Sequence, residues 1–396
     1  MHRNELCHAI QETLTRLPSP YEAHYGVVPP PLPETVIALE GAVARYEAAN
    51  ATIARIDAIA AELEDPYLVS RVLVRNEAVS SSAIEGTHST LDELLSSEES
   101  DDEEARSATK QVRSYAILLD ALIPTIRQEG DKGFTLELIR ALHRGVMRDD
   151  PDYKDVPGDI RTRVNWIGGH GDIAYSAWNP PPPVDVVRCL IQTIDYMQNE
   201  DMQSMTQGLI VRMALAHAQF EAVHPFRDGN GRVGRLLLPL MMAAAKHVPL
   251  YLSPYIETHK PAYYEALKSA QQRLQWHAMV GFMSDAVVGA ADELMATRAA
   301  LARLRNIWLS RRKYRKSSAA LLALDLLPHY PIVTISRLAS LLGVSFPQAA
   351  EAVAQLSSAG ILTERTGYTR NRMYSAREAL AIINRPFGEE ALLPKS

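Results

Sequence analysis

Residues 224–235 read HPFRDGNGRVGR, a stretch with one histidine, one carboxylate, three glycines and three arginines. Glycine lets a backbone approach a ligand closely, and the planar guanidinium of arginine matches the shape of phosphate. A helical spacing of apolar residues runs from Met205 to Val223 and resumes after the glycines at GRLLLPLMMAAAK. The stretch is therefore predicted to turn the chain between two helices, where unpaired N–H groups and the positive helix end favour an anion.

Three common phosphate and metal motifs each fail at a named residue. GNGRVG (229–234) matches the dinucleotide fingerprint as a string, but that fingerprint requires a preceding strand. As a P-loop, the stretch has Arg235 and Leu236 where lysine and Ser/Thr are needed. As a calcium loop, it has Arg232 at a ligand position and Pro239 in place of the final glutamate. A polyphosphate site remains, because Arg232 and Arg235 share a helix face at i, i+3.

Two side chains of the stretch suit chemistry on such a ligand. Asp228 is a suitable ligand for a hard cation such as Mg²⁺ that bridges a polyphosphate. His224 can accept a proton near neutral pH, and Phe226 is interpreted as an apolar anchor. The spacing equally allows a surface loop in which His224 caps a helix and Asp228 pairs with an arginine.

Composition limits the class of protein. The 396 residues suffice for two or three domains, and 47% apolar with 22% charged residues is typical of a globular chain in water. The net charge of -6 gives no electrostatic attraction to nucleic acid or an acidic membrane. Cys7 and Cys189 alone cannot build a disulfide framework or a cysteine-rich zinc site. Without an apolar signal at its start or a run long enough for a bilayer, the chain is expected to be cytoplasmic.

Most of the chain is predicted to be helical. Prolines up to Pro33 predict an extended strap without regular helix, and the acidic run 96–104 is interpreted as a solvated loop. VNWI (164–167) and DIAY (172–175) predict a small β-hairpin around a glycine turn. The predicted helices cover 34–64, 67–84, a segment opened by the capping box Thr90–Glu93, 105–128, 135–149, 184–198, 205–223, the segment after the glycines, 260–274 and 277–305.

From Ser317 the pattern changes to three short helical segments followed by an alternating strand pair. That order is typical of a winged helix domain. The basic stretch RRKYRK (311–316) is the predicted linker. The domain organisation is thus an arm (1–33), an N-terminal helical region (34–110), a core (111–310), the linker (311–316) and the winged helix domain (317–396).

The opening stretch resembles the signature of the Fic family, HxFx(D/E)GNGRxxR. Every fixed position is filled, by His224, Phe226, Asp228, Gly229, Asn230, Gly231, Arg232 and Arg235. The family-like features extend from about residue 70 to 275. The resemblance implies a mainly α fold, with a Fic helical-bundle core and a small β-hairpin flap, and the C-terminal winged helix-turn-helix domain predicted from the pattern of the tail lies outside the family region. It also implies transfer of AMP from ATP to a Ser, Thr or Tyr hydroxyl of a target protein, with release of pyrophosphate.

Roles follow from the resemblance residue by residue. His224 would be the general base, and Asp228 would hold Mg²⁺ against the α- and β-phosphates. A flap of Ile167, Gly168, Gly169 and His170 would align the target's backbone, with Arg161 beside it either as a family arginine or in a structural ion pair. ATP would be bound by Gly229, Asn230 and Gly231 in an anion hole, Arg232 on the β-phosphate, Arg235 on the γ-phosphate, the adjacent Val233 and Gly234, and Tyr263, Tyr264 and Gln271 near adenine and ribose.

SSAIEG (81–86) resembles the family's inhibitory motif, (S/T)xxxE(G/N). Ser81 and Glu85 share a helix face, and Gly86 follows at the helix end. In the family such a glutamate pairs with the second arginine of the signature, here Arg235. The resemblance therefore implies an autoinhibited enzyme in which Glu85 competes with the γ-phosphate of ATP.

Other functions stay open at this point. The same site could run in reverse as a de-AMPylase, with Glu85 orienting water, or use another nucleotide donor. The winged helix could make the chain a DNA-binding regulator, although SFPQAAEAVAQLSSAG (345–360) has no Lys or Arg and the basic residues lie in the linker and at Arg365, Arg370 and Arg372. That distribution favours partner docking or dimerisation over DNA. The target, the modified hydroxyl, self-modification, a homodimer and the oligomeric state are not decided by sequence, and no membrane partner is expected.

Overall fold

The computed structural model describes residues 1–62, 70–100, 105–367 and 371–394, which form mainly helices. The helices are α1 (His8–Glu12), α2 (Val43–Ala61), α3 (Ser70–Ile84), α4 (Leu91–Ser100), α5 (Ser107–Glu129), α6 (Leu136–Met147), α7 (Pro183–Gln198), α8 (Leu209–Val223), α9 (Asn230–Ala244), α10 (Ser253–Thr258), α11 (Lys260–Arg273), α12 (Trp276–Ser310), α13 (Ala319–Leu326), α14 (Ile335–Leu342), α15 (Phe346–Ser358) and α16 (Arg377–Ile383). The strands are β1 (Leu14–Arg16), β2 (Tyr25–Val27), β3 (Ile167–Gly168), β4 (Ser176–Trp178), β5 (Ile332–Thr334), β6 (Thr363–Glu364) and β7 (Met373–Ser375).

Helices α8 and α9 form the centre of the molecule. Every residue from Ile210 to Val223 is buried, and a helix that is buried on all sides must be enclosed by others. Helices α7, α11 and α12 pack on α8, while α3, α5 and α6 pack on α9. The turn 224–229 joins the two central helices. The fold therefore places the HPFRDGNGRVGR stretch at one end of the buried pair, within reach of α3.

The first 42 residues differ from the predicted strap and first helix. The short helix α1 forms because the first proline is Pro18, and β1 then pairs antiparallel with β2. Helix α2 begins at Val43 rather than at Glu34, since the Gln207 amide holds the preceding backbone by donating 2.7 Å hydrogen bonds to the carbonyls of Pro33 and Thr35.

Residues 96–100, predicted as part of a solvated loop at 96–104, are helical and belong to α4. The capping box is confirmed, because Thr90 N donates to Glu93 Oε2 at 2.9 Å and Glu93 N to Thr90 Oγ1 at 3.1 Å. The helix continues through Ser100 because Arg75 pairs with Glu98, which lessens the repulsion within the acidic run. Residues 101–104, and the predicted start of α3 at 67–69, lie outside the described residues.

The predicted β-hairpin forms with different strands. Ile167 is the only residue of VNWI in a strand, and it pairs with Trp178. DIAY forms a 3-10 turn instead, because the Asp172 side chain accepts a hydrogen bond from Ala174 N. The second strand of the hairpin is β4, SAW (176–178). Its Trp178 is buried and donates from Nε1 to the Ala222 carbonyl at 3.0 Å.

The other predicted helices agree with the structure to within a few residues, apart from two differences. Helix α8 starts at Leu209 rather than Met205, after the non-helical Gly208. Helices α10 and α16 were not predicted.

Residues 319–383, called the C-terminal unit below, contain α13 to α16 and an antiparallel sheet in the order β5-β7-β6. Glu378 attaches the unit to the end of α12, since it accepts hydrogen bonds from Trp308 Nε1 at 2.7 Å and Arg311 Nη2 at 2.6 Å. Arg365 donates to both carboxylate oxygens of Asp92 of α4 from its two terminal guanidinium nitrogens, Nη1 and Nη2. In the part of the chain that is described, no helix combines the length and apolarity needed to cross a membrane.

Candidate active site

His224 ends α8 in a left-handed conformation, with φ 48° and ψ 63°. For a residue other than glycine this conformation costs about 1–2 kcal/mol. Arg161 holds it in place by donating from Nε to the His224 carbonyl at 2.8 Å and from Nη2 to the Pro181 and Val223 carbonyls at 2.8 and 3.3 Å. Its guanidinium is buried and bonds carbonyls, and no carboxylate pairs with it among the described residues, which does not support the structural ion pair.

The imidazole of His224 is neutral at physiological pH. Burial lowers its pKa to about 4, and the charge of Arg161 acts in the same direction. Its Nδ1 atom is buried 4.0 Å from Oε2 of Glu221 and has no partner at hydrogen-bond distance in the part of the chain that the structure describes. The side chain as a whole is 17% exposed, so other ring atoms can be reached from outside. A neutral, partly accessible imidazole can accept a proton.

The turn after His224 is held by its own side chains. Asn230 is buried and bridges the backbone of Phe226, accepting from its N at 2.8 Å and donating to its O at 2.9 Å. Gly229, with φ +75°, is the N-cap residue of α9, and its N–H donates to Asp228 Oδ1 at 2.6 Å. The side chain of Asn230 therefore stabilises the loop, and any anion contact at this position would come from its backbone.

His143 of α6 supports the same turn and was missed at the sequence level. Its Nε2 lies 3.0 Å from the Asp228 carbonyl, while its Nδ1 accepts from Gly158 N at 2.7 Å. Its ring stacks on Phe226 with centroids 3.8 Å apart, which agrees with the predicted anchoring role of that phenylalanine. A lone histidine on an amphipathic helix carries no sequence signal for this contact, which only packing creates.

Arg232 is a buried cation that forms no salt bridge with an acidic side chain of the described residues. It is 3% exposed, and it donates to Gln111 Oε1 at 3.0 Å and contacts Met147 Sδ at 3.1 Å. Its Nε is buried without a partner, and no salt bridge to it is found within the described ranges. Burial lowers its pKa. Because an unpaired buried charge is costly, the position is suited to an anionic ligand.

The first turn of α9 adds backbone donors to that cation. The first intrahelical hydrogen bond runs from Val233 N to Gly229 O at 3.1 Å, so the N–H groups of residues 230–232 have no acceptor within the helix. Val233 and Gly234, also predicted to bind ATP, face the interior. A contact from either one to a ligand would have to come from its backbone.

Arg235 is bound by both residues of the predicted inhibitory motif. Its Nη2 donates to Glu85 Oε1 at 2.7 Å and to the Ser81 carbonyl at 2.9 Å, and its Nε donates to Ser81 Oγ at 2.9 Å. Burial raises the pKa of Glu85, but the charge and hydrogen bond of Arg235 outweigh it, so the net pKa is lowered. Gly231 leaves room for this contact, since a Cβ there would overlap the Glu85 carboxylate.

Helix α3 is anchored one turn before Ser81, which the sequence did not indicate. Glu77 is buried and accepts from Ser253 N at 2.8 Å, from Ser253 Oγ at 2.5 Å and from Tyr115 OH at 3.1 Å. The helix then ends at Ile84, and Gly86 follows with φ +84°. The body of α3 is thus held firmly, while Glu85 lies at its end with a side chain that is 32% exposed.

The tyrosine pair differs from the prediction. Tyr263 is 2% exposed and its hydroxyl lies 2.8 Å from His217 Nε2, so its ring has no surface for adenine or ribose in this conformation. Its neighbour Tyr264 is 51% exposed, which leaves it available to a ligand. Gln271 lies close to the Ala218 carbonyl of α8, with Nε2 at 3.5 Å.

The flap residues 167–170 flank the turn. Asn165, just before them, donates from Nδ2 to the Phe226 and Arg227 carbonyls at 3.3 and 3.2 Å. Gly168, Gly169 and His170 all have positive φ, and His170 is exposed. The hydrogen bonds of Asn165 and Trp178 therefore connect both ends of the hairpin to the backbone around His224.

Asp228 is exposed, and no group of three or more His, Cys, Asp or Glu side chains that could hold a metal occurs among the described residues. Mg²⁺ is commonly bound by one or two carboxylates together with substrate phosphates. Asp228 therefore fits Mg²⁺ as one ligand beside a bound polyphosphate. In the loop alternative Asp228 would pair with an arginine, and no such pair is found in the described ranges.

Two regions of the chain match family models. Residues 43–121 match the Fic/DOC family N-terminal model, and residues 133–242 match the Fic/DOC family model. The second region contains His224, Arg232 and Arg235, and the first contains Ser81 and Glu85. All the residues around Arg235 described above thus fall within the matched regions.

Curated relatives match over the Fic region. Protein adenylyltransferase fic-1 of Caenorhabditis briggsae is 32% identical over 136 residues, 34% of this chain and 24% of that protein. Protein adenylyltransferase Fic of Drosophila mojavensis is 31% identical over 138 residues, 35% of this chain and 24% of that protein. The chain thus spans about a quarter of the length of these relatives.

A solved structure shows the same fold over most of the chain. The crystal structure of a Fic family protein from Desulfovibrio desulfuricans G20 has a TM-score of 0.54 and 20% identity, and the match covers 87% of this chain and 98% of that one.

Proposed function

We propose that this chain is an autoinhibited protein adenylyltransferase that transfers AMP from ATP to a Ser, Thr or Tyr hydroxyl of a target protein. The observation that carries the proposal is the pair of buried guanidinium groups, Arg232 and Arg235, at the glycine-led start of α9 beside a neutral His224. Two buried cations at a helix start are suited to a polyphosphate. The similarity to curated adenylyltransferases over this region supports the same reaction.

In the proposed reaction His224 is the general base. It removes the proton of the target hydroxyl, the oxygen bonds to the α-phosphorus of ATP, and the bond from that phosphorus to the bridging oxygen breaks as pyrophosphate leaves. Arg232 and the free N–H groups of 230–232 bind the phosphates and stabilise their charge. Mg²⁺ held by Asp228 would neutralise further phosphate charge. Tyr264 and Gln271 remain candidates for the adenosine side of the site.

Inhibition in this proposal is competition for Arg235. Glu85 occupies Nη2 of the guanidinium that would otherwise bind the γ-phosphate. Because Glu77 anchors the body of α3, rotation of the Glu85 side chain or unwinding of the last helical turn frees Arg235 without displacing the helix. Ser81 keeps its two hydrogen bonds to Arg235 and so holds the guanidinium in place.

The test compares wild type, Glu85→Gly and Glu85→Gly/His224→Ala, each incubated with Mg²⁺, a cell lysate as acceptor and ATP labelled at the α-phosphate. Protein-bound label is expected to rise about tenfold or more in Glu85→Gly, the change that 1.4 kcal/mol produces, and to vanish in the double variant. ATP labelled at the γ-phosphate is the control, and it should leave no label on protein.

Three results would contradict the proposal. Label from the γ-phosphate would indicate a kinase, and an unchanged signal in Glu85→Gly would remove the inhibitory role of that residue. Loss of label from a pre-modified protein without any forward transfer would favour the de-AMPylase alternative.

For the C-terminal unit we propose a winged helix domain that contacts the rest of this chain rather than DNA. Its helices α13 to α15 precede the β6–β7 strand pair in the winged helix order, and α16 follows that pair. Arg365 pairs with Asp92, and Arg337 lies 3.8 Å from Glu99, while α15 contains no Lys or Arg. Arg370 lies outside the described residues. Fluorescence anisotropy with duplex DNA is expected to show no salt-dependent binding, and a steep salt dependence would favour DNA.

A further inference from the structure

Glu221 is a buried carboxyl beside His224 to which no role has been given. It lies three residues before His224 on the last turn of α8 and is 7% exposed. Among the described residues, neither its Oε1 nor the Nδ1 of His224 has a partner at hydrogen-bond distance, although the backbone carbonyl of Glu221 faces the imidazole and acts to raise its pKa. The other oxygen, Oε2, is 4.0 Å from that Nδ1. A shift that brought them to about 2.9 Å would give the imidazole nitrogen a partner.

The carboxyl occupies a space that α9 leaves open. A Cβ on Gly234 would lie 2.5 Å from Glu221 Oε1 and 3.2 Å from His217 Cε1. Any side chain at 234 would therefore push the carboxyl from its place. Gly234 therefore leaves room for a carboxyl that lies beside His224.

The charges around Glu221 connect it to the inhibitory contact. Burial raises its pKa to about 8, Arg235 opposes the rise, and the charge of Glu85 adds to it. At pH 7 the carboxyl is therefore mostly protonated while Glu85 is in place, and removing Glu85 favours its ionisation. The titratable and charged groups that face the carboxyl or its histidine partner are Glu85 of α3, Arg161 of the loop before the flap, His217 and His224 of α8 and its end, Arg235 of α9, and Tyr263 and Tyr264 of α11.

We propose that Glu221 is a positioning residue for His224, whose ionised carboxylate accepts a hydrogen bond from Nδ1–H and leaves the Nε2 lone pair free to take the substrate proton. The inference rests on the proposed function. With Glu221 protonated, its O–H donates to Nδ1 and the single imidazole proton sits on Nε2, which cannot act as a base. Loss of one proton moves the imidazole proton to Nδ1. The imidazolium formed during transfer then has a carboxylate beside it.

The kinetic test uses the full chain in the Glu85→Gly background, with label transfer measured from pH 6 to pH 9.5. Glu221→Gln is expected to lower kcat about 100-fold while leaving the KM for ATP within twofold, and to abolish the rise of kcat with pH. Glu221→Asp should restore part of that rise, and Gly234→Ala should resemble Glu221→Gln. Equal kcat and the same pH profile in the parent and in Glu221→Gln would overturn the inference.

A second measurement does not depend on activity. In ¹⁵N-histidine-labelled Glu85→Gly protein, the His224 signals are assigned by their loss in Glu85→Gly/His224→Ala. They should change from the Nε2–H to the Nδ1–H pattern between pH 6 and pH 9.5, and Glu221→Gln should remove that change. If no pH step occurs, or if it persists in Glu221→Gln, the inference fails. If the His224 signals change with pH as expected but no label is transferred, the result would count against the proposed function alone.

Discussion

Arg235 makes its contacts where water cannot replace them. It is 1% exposed, and Glu85 supplies its carboxylate partner while Ser81 supplies two further acceptors. Burial lowers the pKa of Arg235, but Glu85 more than compensates, so the net pKa is raised. Removing one partner of a buried ion pair is costly because the other charge stays buried. A phosphate group could replace Glu85 as the partner of Arg235. This exchange can be tested by ATP binding, without measuring catalysis.

Glu85→Gly is expected to lower the free energy of unfolding by about 2 kcal/mol, less than the usual cost of a broken buried pair, because Glu85 is 32% exposed and Ser81 remains. ATP with Mg²⁺ should then raise the Tm more in Glu85→Gly than in wild type, since the γ-phosphate restores the missing partner. Thermal denaturation measures both effects, with Glu62→Gly at the exposed end of α2 as control. An equal ATP-induced Tm shift in wild type would argue against competition for Arg235.

Glu221 gives a pH-dependent prediction of stability. Its pKa in the folded chain is about 8, above the unfolded value of 4.5, so the folded state holds the extra proton between these two values. The stability it contributes is complete below pH 4.5 and is lost as pH rises through 8. Glu221→Gln should therefore gain stability relative to wild type between pH 5 and pH 9. Urea denaturation at several pH values would measure this, and a constant difference between the two proteins would show that Glu221 does not titrate in this range.

At the scale of elements, the catalytic turn depends on how α8 ends and α9 begins. Arg161 holds the carbonyls of Val223 and His224, and Asn230 holds both backbone groups of Phe226. Neither side chain is free to contact a ligand. Both act on the geometry of the turn, so substitutions there should alter catalysis without a change in the charge of the site.

Arg161→Lys keeps the charge but cannot reach the same set of carbonyls, because lysine lacks the forked donors. In the Glu85→Gly background we expect the Tm to fall and label transfer to drop by about 100-fold, as expected for a misplaced general base. Arg163→Lys, an exposed position two residues along, is the matched control. Retained activity in Arg161→Lys would mean that the left-handed conformation of His224 does not need this clamp.

At the scale of the whole molecule, the C-terminal unit contacts the elements that carry the inhibitory residues. Arg71 of α3 donates to the His329 carbonyl at 3.2 Å and lies over the Tyr330 ring at 4.4 Å. The buried Glu99 of α4 accepts from Thr334 N at 3.3 Å. The C-terminal unit therefore packs against α3 and α4, the first of which leads to the inhibitory residues.

Arg71→Ala should loosen this contact and speed amide hydrogen exchange along the first turns of α3, because a partly desolvated cation–π contact is worth about 1–2 kcal/mol. Hydrogen exchange followed by mass spectrometry is the measurement. Arg55→Ala, which removes an exposed ion pair with Asp292, is the control and should leave α3 unchanged. If exchange in α3 is the same in both variants, the C-terminal unit does not stabilise that helix.

The sequence by itself determined the mainly helical fold, the turn between α8 and α9, the capping box at Thr90 and Glu93, and the candidate pairing of Glu85 with Arg235. These follow from local periodicity, cap chemistry and a resemblance carried by a continuous motif. The hairpin strands were misplaced because the buried side of a three-residue strand depends on what Trp178 packs against. Tyr263 was assigned to a ligand because adjacent tyrosines look alike in sequence, and only the packing buries one and exposes the other.

Only the tertiary structure decided which side chains act on the turn from a distance. His143 and Glu77 lie on helices far along the chain, and Glu221 gains its place only because Gly234 of the next helix leaves room. Burial and unpartnered atoms are properties of packing between elements, so no spacing rule predicts them. The motif therefore indicated the kind of chemistry, while the packing of α3, α6 and α8 around it decided which residues hold the base, the loop and the second arginine.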